Sequence, residues 1–339
     1  MRILLGMSGG LDSSCAALKL IKEGHSVEGA VLIMHEYTEV ESARQAAGEL
    51  GIPLHEIDAR DLFREKVIPN FVEQYSKGRT PNPCVVCNRE VKFKVLYDYA
   101  KENGFDKIAT GHYAKITERN GRKVISRSSD PKKDQTYMLW RLTEEIIDSL
   151  VFPLSDTTKN DVRAEAGELG LTVASRDESQ EICFIPSGDY ATYIEEYGVK
   201  SREGYFVDEM DNVLGRHKGI IHYTVGQRKG LGIALGQRAF VTDIDPLTDK
   251  VTLSFEAKES KELYISDINF VGIAPYSAGD CVELFVKVRY LAPPVAAKVF
   301  FLENGRAKVS LSSAARSVAP GQSAVFYDGD VLMFGGFIE

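Results

Sequence analysis

The segment SGGLDS at residues 8–13 constrains this chain more than any other stretch. It follows a short apolar run, residues 2–7, that reads as a buried strand. It leads into residues 12–23, where Cys15, Leu18 and Ile21 recur at helical spacing behind a cap-like start. A glycine pair between strand and helix lets the backbone turn tightly and aims several amide hydrogens at one point, and the helix N-terminus adds positive potential there. The chain therefore opens on an anion site, and a phosphate-bearing ligand is expected. No Lys follows the glycines, which excludes a Walker A loop, and the spacing is not that of the G-x-G-x-x-G dinucleotide pattern.

Beyond this loop, strand and helix patterns alternate. Strands are expected at residues 27–34, 53–57 and 107–110, with helices at about 40–50, 62–75 and 91–103, and helical pattern again at 144–150 and 159–169. Such an order means an α/β domain with a parallel sheet covered by helices on both sides. After about residue 200 the texture changes to short alternating segments punctuated by glycines, with hairpin signals at Asn304-Gly305 and Asp328-Gly329. Proline-containing joints near Pro246 and Pro275 divide this mostly β part into a small central domain and a terminal barrel or sandwich. The 339 residues thus fall into three expected domains, 1–200, 201–262 and 263–339. Hydrophobic residues at 44% and charged residues at 27% are ordinary globular values. The apolar stretch at the start is too short for a signal-peptide core and no run has membrane length, so a cytoplasmic location without a membrane partner is expected.

Charge is uneven along the chain. The net value of -8 conceals a local excess of acid, for residues 139–211 hold 17 acids and 6 bases. Residues 115–133 carry seven bases against Glu118 and Asp130, and residues 212–242 carry five bases and no acid. Most charge runs are solvated surface, yet these two permit an RNA partner on a face of an acidic protein.

Five cysteines are too few and odd for a disulfide framework in a chain without a secretory signal. Cys15, on the apolar face of the first helix, is expected in the core, and Cys281 belongs to an alternating strand. Cys84 and Cys87 lie in the Pro-rich loop GRTPNPCVVCNREVKF, and Cys183 lies far away in SQEICFI. A C-x-x-C loop before a helix offers two sulfurs to a metal, or one thiolate of lowered pKa held by the helix N-terminus and by Arg79, Arg89 and Lys92. A structural zinc site lacks a second cysteine pair, although Cys183 can serve as a third ligand.

Together with the first loop, the segments ATGHYAKI at 109–116, KKDQTYML at 132–139, SQEICFI and VGQRKGLGI at 225–233 resemble, in order and along essentially the whole chain, the bacterial tRNA-specific 2-thiouridylases of the ATP pyrophosphatase (PP-loop) superfamily. The resemblance implies a catalytic domain, a small central domain and a C-terminal β-barrel. The implied activity is ATP-dependent transfer of sulfur to C2 of the wobble uridine in tRNAs for Lys, Glu and Gln, with ATP and Mg2+ as cofactors. It also implies a tRNA anticodon arm and a cysteine desulfurase or sulfur-relay protein as partners. Carried over position by position, Gly6, Met7, Ser8, Gly9, Gly10, Leu11, Asp12 and Ser13 would hold the ATP phosphates, while Leu32 and Gly111 would flank the adenosine. Asn82, Pro83 and Cys84 would border the target base. Cys87 matches the nucleophile and Cys183 the persulfide carrier. His112, Lys133, Asp134, Gln135, Arg289, Tyr290 and Gln322 would touch the tRNA.

One position departs from the family's pattern. Many members read N-P-D-x-x-C, and here Cys84 replaces the Asp, so that carboxylate's role cannot be transferred. A persulfide relay is the first reading. The extra thiol opens an alternative in which Cys84, Cys87 and Cys183 hold an iron-sulfur cluster. Two rivals stand further off: another PP-loop ATP pyrophosphatase ligase, which needs no paired thiols, and a non-catalytic metal-binding RNA-binding protein, which leaves the phosphate loop unexplained.

Overall fold

The computed structural model describes residues 1–168, 172 and 182–339. The first part of the chain contributes strands β1 (Arg2–Gly6), β2 (Ser26–Ile33), β3 (Leu54–Asp58), β4 (Lys107–Thr110), β5 (Lys115–Arg119), β6 (Arg122–Ser126) and β7 (Leu150–Val151). Its helices are α1 (Leu11–Lys22), α2 (Val40–Leu50), α3 (Arg60–Lys66), α4 (Ile68–Ser76), α5 (Pro83–Cys87), α6 (Phe93–Glu102), α7 (Glu144–Ser149) and α8 (Lys159–Glu168). Among the described residues, five strands form one sheet in the order β3-β2-β1-β4-β7, parallel throughout. Helices cover both faces, which is why β1 reads as an unbroken apolar run with Ile3, Leu4 and Leu5 fully buried. The chain lays strands outward from β1 to β3 and then returns to place β4 on the other side of β1. The carboxyl ends of β1 and β4 therefore diverge, leaving the crevice in which open α/β sheets bind ligands.

Two helices differ from expectation. The single helix expected over 62–75 is broken at Val67 into α3 and α4, with Pro69 in the first turn of α4, where a ring without an N–H is tolerated. The helix expected from residue 91 starts at Pro83 and runs through α5, a π-helical turn (Asn88–Lys92) and α6. Cys84 and Cys87 accordingly belong to a helix rather than to a loop. Pro83 opens α5, and the Asn82 side chain caps it by accepting from Cys84 N at 3.1 Å. The β5–β6 hairpin lies outside the expected elements, although Asn120-Gly121 at its tip, with φ of 51° and 76°, is a strong turn signal.

After α9 (Tyr190–Glu196) come β8 (Gly204–Val207), β9 (Val213–His217), β10 (Phe240–Asp245) and β11 (Lys250–Ser254), paired in the order β10-β11-β8-β9. The last part contains β12 (Glu259–Phe270), β13 (Cys281–Lys287), β14 (Val295–Phe301), β15 (Ala307–Arg316), β16 (Ser323–Asp328) and β17 (Val331–Ile338). These six run in the order β12-β15-β14-β13-β16-β17, and β17 pairs back to β12, closing an antiparallel barrel. Asn304-Gly305 and Asp328-Gly329 turn the β14–β15 and β16–β17 hairpins as expected. Strand β6 also touches β17, Ser126 opposite Val331.

The barrel is seated on the α/β part through Trp140, which is fully buried and donates from Nε1 to Ser323 Oγ at 3.0 Å. Gly335 leaves room for the indole, since a Cβ there would lie 2.5 Å from Trp140 Cγ. Among the described residues no helix is long and apolar enough to cross a membrane.

Candidate active site

The phosphate loop sits at the crevice between β1 and β4. Gly10 caps α1 without any side-chain hydrogen bond, so the first amide hydrogens of the helix stay available to an anion. Gly9 has φ of +74°, and a Cβ there would lie 2.4 Å from Ser42 C at the start of α2, so only glycine fits. Gly111, just beyond β4, passes so close that its Cβ would lie 2.8 Å from Asp12 C. The fold therefore brings residues 6–13 and Gly111 together, although about a hundred positions separate them. Met7 is buried and donates its N–H to Ala30 O at 2.8 Å, Leu11 and Leu32 are buried, and Ser13 Oγ donates to Gly10 O at 2.9 Å. Ser8 is exposed at the loop's lip.

Sequence reasoning missed a cation at this loop. Lys159, the first residue of α8 and only 8% exposed, places Nζ 2.6 Å from Asp12 Oδ1, which also accepts from Tyr113 O–H at 2.8 Å. Nothing near Lys159 in the sequence announces this pair. The signal that existed was a positively charged residue opening a helix, where a cation opposes the helix dipole and needs a compensating partner.

The thiols lie along the same edge of the sheet. Cys87 is buried, and its Sγ is 3.7 Å from the Sδ of Met34, the residue that follows β2. Burial pushes the Cys87 thiol up to about 12; Lys92 pulls it down, and Cys183 and Cys84 push it further up. The thiolate of lowered pKa expected from the nearby cations is thus overturned at Cys87, because desolvation outweighs Lys92. Arg89 is turned away, donating to Arg141 O at 3.3 Å and to Asn269 Oδ1 at 3.2 Å. Cys84 is exposed on the first turn of α5. Cys183 is an exposed residue whose thiol is nonetheless raised, first by burial of the sulfur and then by Cys84. Its neighbour Phe184 anchors the segment by packing edge-on against Phe63 and Phe71 at 5.3 and 5.4 Å. Among the described residues no group of three or more His, Cys, Asp or Glu side chains is gathered to hold a metal. The three thiols nonetheless act on one another, Cys183 and Cys84 on Cys87 and Cys84 on Cys183. Cys15 is core, as expected: it is buried and its thiol is pushed up to about 12 by burial, then by Glu165. Cys281 opens β13 on the surface.

The residues expected at RNA are dispersed among several tasks. Gln322, at the foot of β16, donates from Nε2 to Thr80 O at 2.9 Å and so fixes the segment leading to Asn82 and Pro83. Arg289 donates from Nε to Ser317 O at 3.0 Å and from Nη2 to Val225 O at 2.7 Å. Asp134 is buried and accepts from Thr136, its carboxyl raised by burial, and Gln135 Oε1 accepts from Tyr113 N at 2.9 Å. His112 hydrogen-bonds Thr110 through Nδ1 and faces Phe93; burial, then Lys92, push it down to about 3, so its ring is neutral at physiological pH. Tyr290 packs near Tyr137, and Lys133 closes a turn by donating its N–H to Asp130 O at 3.1 Å.

A parallel α/β unit with a glycine phosphate loop at its switch point, followed by two β units, is a composite that the known families also contain. Family models match it in sequence: a tRNA methyl transferase HUP domain over residues 1–187, a tRNA methyl transferase PRC-barrel domain over 191–254 and an aminomethyltransferase beta-barrel domain over 260–338. The tRNA-specific 2-thiouridylase MnmA of Clostridium perfringens is 45% identical, with 100% of this chain and 98% of the relative covered. That of Acetivibrio thermocellus is 44% identical over 100% and 99%, and that of Clostridioides difficile 41% over 100% and 98%. The chain belongs to the tRNA-specific 2-thiouridylase family. Among solved structures, a 4-thiouridine synthetase in complex with RNA and ATP aligns over 57% of this chain and 50% of its own, 19% identical, at a TM-score of 0.38, too distant to place any residue.

Proposed function

We propose that this chain uses ATP to replace the C2 oxygen of the wobble uridine in tRNAs for Lys, Glu and Gln with sulfur, releasing AMP and pyrophosphate. One observation carries the reading: the phosphate loop and the buried thiol share one edge of one sheet. Cys87 touches Met34 directly after β2, and β1, the strand paired with β2, runs into residues 6–13.

The chemistry requires that arrangement. The C2 carbonyl of uridine is a weak electrophile and its oxygen a poor leaving group. Transfer of AMP to O2 turns that oxygen into a good leaving group. Residues 6–13 would hold the phosphates, with Leu32 and Gly111 beside the adenosine, and the helix N-terminus would stabilise the departing pyrophosphate. Mg2+ would arrive with the ATP phosphates, since the loop's own carboxylate, Asp12, is engaged by Lys159 and Tyr113. The terminal sulfur of a persulfide on Cys183 attacks C2 and AMP departs with O2. Cys87 then attacks the Cys183 sulfur, and its proton passes to the 2-thiouracil anion that leaves as the S–S bond to the base breaks; 2-thiouridine is released and a Cys87–Cys183 disulfide remains for an external thiol to reduce. Burial holds the Cys87 thiol in its neutral form. Asn82, Pro83 and Cys84 would border a base flipped out of the anticodon loop. In this reading residues 1–200 form the catalytic domain, the β8–β11 part and the barrel, which begins with β12 at Glu259, meet the anticodon arm, and the enzyme works in the cytoplasm with a cysteine desulfurase or relay protein as sulfur donor.

The test is pyrophosphate release from ATP with and without unmodified tRNA, together with 2-thiouridine in bulk tRNA from a deletion strain. Release that ignores tRNA, or unchanged 2-thiouridine in that strain, would overturn the reading.

A further inference from the structure

The two basic stretches of the chain have different fates in the fold. In the first, Lys115 pairs with Asp156 at 3.0 Å, Arg119 with Asp328 at 2.7 Å and Arg122 with Glu144 at 3.8 Å. Lys123 donates to Asp148 O at 2.7 Å, and Arg127 lies over the Tyr327 ring with its centre 4.3 Å from the centroid. Most of its cations are thus engaged by the protein itself.

In the second stretch Arg216 pairs with Glu203 at 3.9 Å, but three cations further along are, among the described residues, free of such partners. Between β9 and β10 the chain makes a long glycine-rich loop on which Arg228, Lys229 and Arg238 stand, and no carboxylate occurs anywhere in residues 212–242. Among the described residues none of these three side chains has a partner for its charged head. The loop lines an open depression of about 460 Å³, with Arg228 and Arg238 on its wall. Its base is fixed, whereas its cations are not. Gly226 N donates to Val241 O at 2.8 Å, Val241 N to Gln227 O at 2.9 Å, and Gln227 Oε1 accepts from Thr224 N at 3.0 Å. Arg289 of the barrel clamps Val225 O and Ser317 O together, and Gly226 passes Ser317 so closely that a Cβ there would lie 2.7 Å from its Cβ.

We infer that the loop over residues 226–238 is a phosphate clamp for the RNA backbone, with Arg228, Lys229 and Arg238 as its contacts and Arg289 as the positioning residue that latches it to the barrel. Cations on an anchored loop lose little entropy on meeting phosphates and release condensed counterions when they do. The inference rests on the tRNA reading of the protein, and it reassigns the work of the first basic stretch to the second. An acidic protein surface is the other occupant such a loop could take, and the salt dependence with tRNA separates the two.

The experiment is equilibrium binding of unmodified tRNA to the full chain across a series of KCl concentrations. The plot of log K against log salt should become shallower by about 0.7 to 0.9 for each of Arg228→Ala, Lys229→Ala and Arg238→Ala. Arg228→Lys should keep the original slope, and Lys115→Ala and Arg122→Ala should change it by much less. Unaltered slopes in the three loop variants, or equal changes in the Lys115 and Arg122 variants, overturn the clamp. If the unaltered chain shows no salt-dependent tRNA binding at all, the tRNA reading falls and the clamp with it, an outcome distinct from binding with unaltered slopes.

Discussion

Lys159 and Asp12 meet at 2.6 Å across 147 positions of sequence, joining the first turn of α8 to the first turn of α1 beside the phosphate loop. The pair aims a buried cation at the place where a helix N-terminus already favours negative charge. It also engages the Asp12 carboxylate, which accepts from Tyr113 O–H as well. Lys159→Met should therefore lower pyrophosphate release by about a hundredfold, the usual cost of losing one preorganised donor at a site of developing charge. Binding of tRNA should change far less. A folded Lys159→Met protein that loses tRNA affinity as severely as turnover would show that the pair supports the whole domain rather than the phosphate site.

A second prediction concerns how the barrel sits on the α/β domain. Trp140, the single tryptophan, is fully buried where a Gly335 side chain would have to go. Gly335→Ala forces a methyl to within 2.5 Å of the indole. Overpacking of that kind costs about 1 to 3 kcal/mol. Urea unfolding followed by Trp140 fluorescence should shift its midpoint downward accordingly, and an unchanged midpoint would mean that the barrel can move off the indole without loss.

The pH dependence of Cys87 comes from its burial. A thiol pushed up to about 12 deprotonates later than an ordinary one at about 8.5, so its thiolate fraction still rises through the range where exposed thiols have levelled off. Iodoacetamide labelling of Cys87, read by peptide mass spectrometry, should increase about tenfold per pH unit between about pH 8 and 10. A plateau near the middle of that range would show that Lys92 outweighs desolvation.

Four of the five parallel strands, the glycine loop before α1 and the β14–β15 and β16–β17 hairpins are legible in the sequence, because each rests on local signals: apolar runs, a glycine pair before a helix, Asn-Gly and Asp-Gly turns; β7, where the pattern reads as helix, is not. Features set by distant contacts escape it. The start of the cysteine-bearing helix is hidden because Pro83 looks like a loop residue until Asn82 is seen to cap it. The raised thiol of Cys87 cannot be read from its charged neighbours, since the decisive quantity is burial under residues such as Met34. Likewise the basic content of residues 115–133 is visible, while its neutralisation by Asp156, Asp328 and Glu144 depends on packing that brings distant carboxylates to it.

Substitution of Cys84 separates the two routes by which sulfur could reach the base. It stands on the first turn of α5, exposed, with its N–H held by Asn82, a position where the helix dipole favours a carboxylate. Cys84→Asp should therefore fold normally and restore the commoner N-P-D-x-x-C pattern. In a relay, Cys183 carries the sulfur and Cys87 resolves the disulfide, so Cys84→Asp keeps substantial thiolation in iron-free enzyme, while Cys87→Ser and Cys183→Ser each lose it. Were three thiolates to bind a cluster instead, every one of the substitutions would remove a ligand, and activity and iron would disappear together. The measurement is single-turnover thiolation of tRNA by each variant, aerobic and iron-free against anaerobically reconstituted with iron and sulfide, with iron counted in every sample. Thiolation that appears only after reconstitution and vanishes in Cys84→Asp would sink the relay.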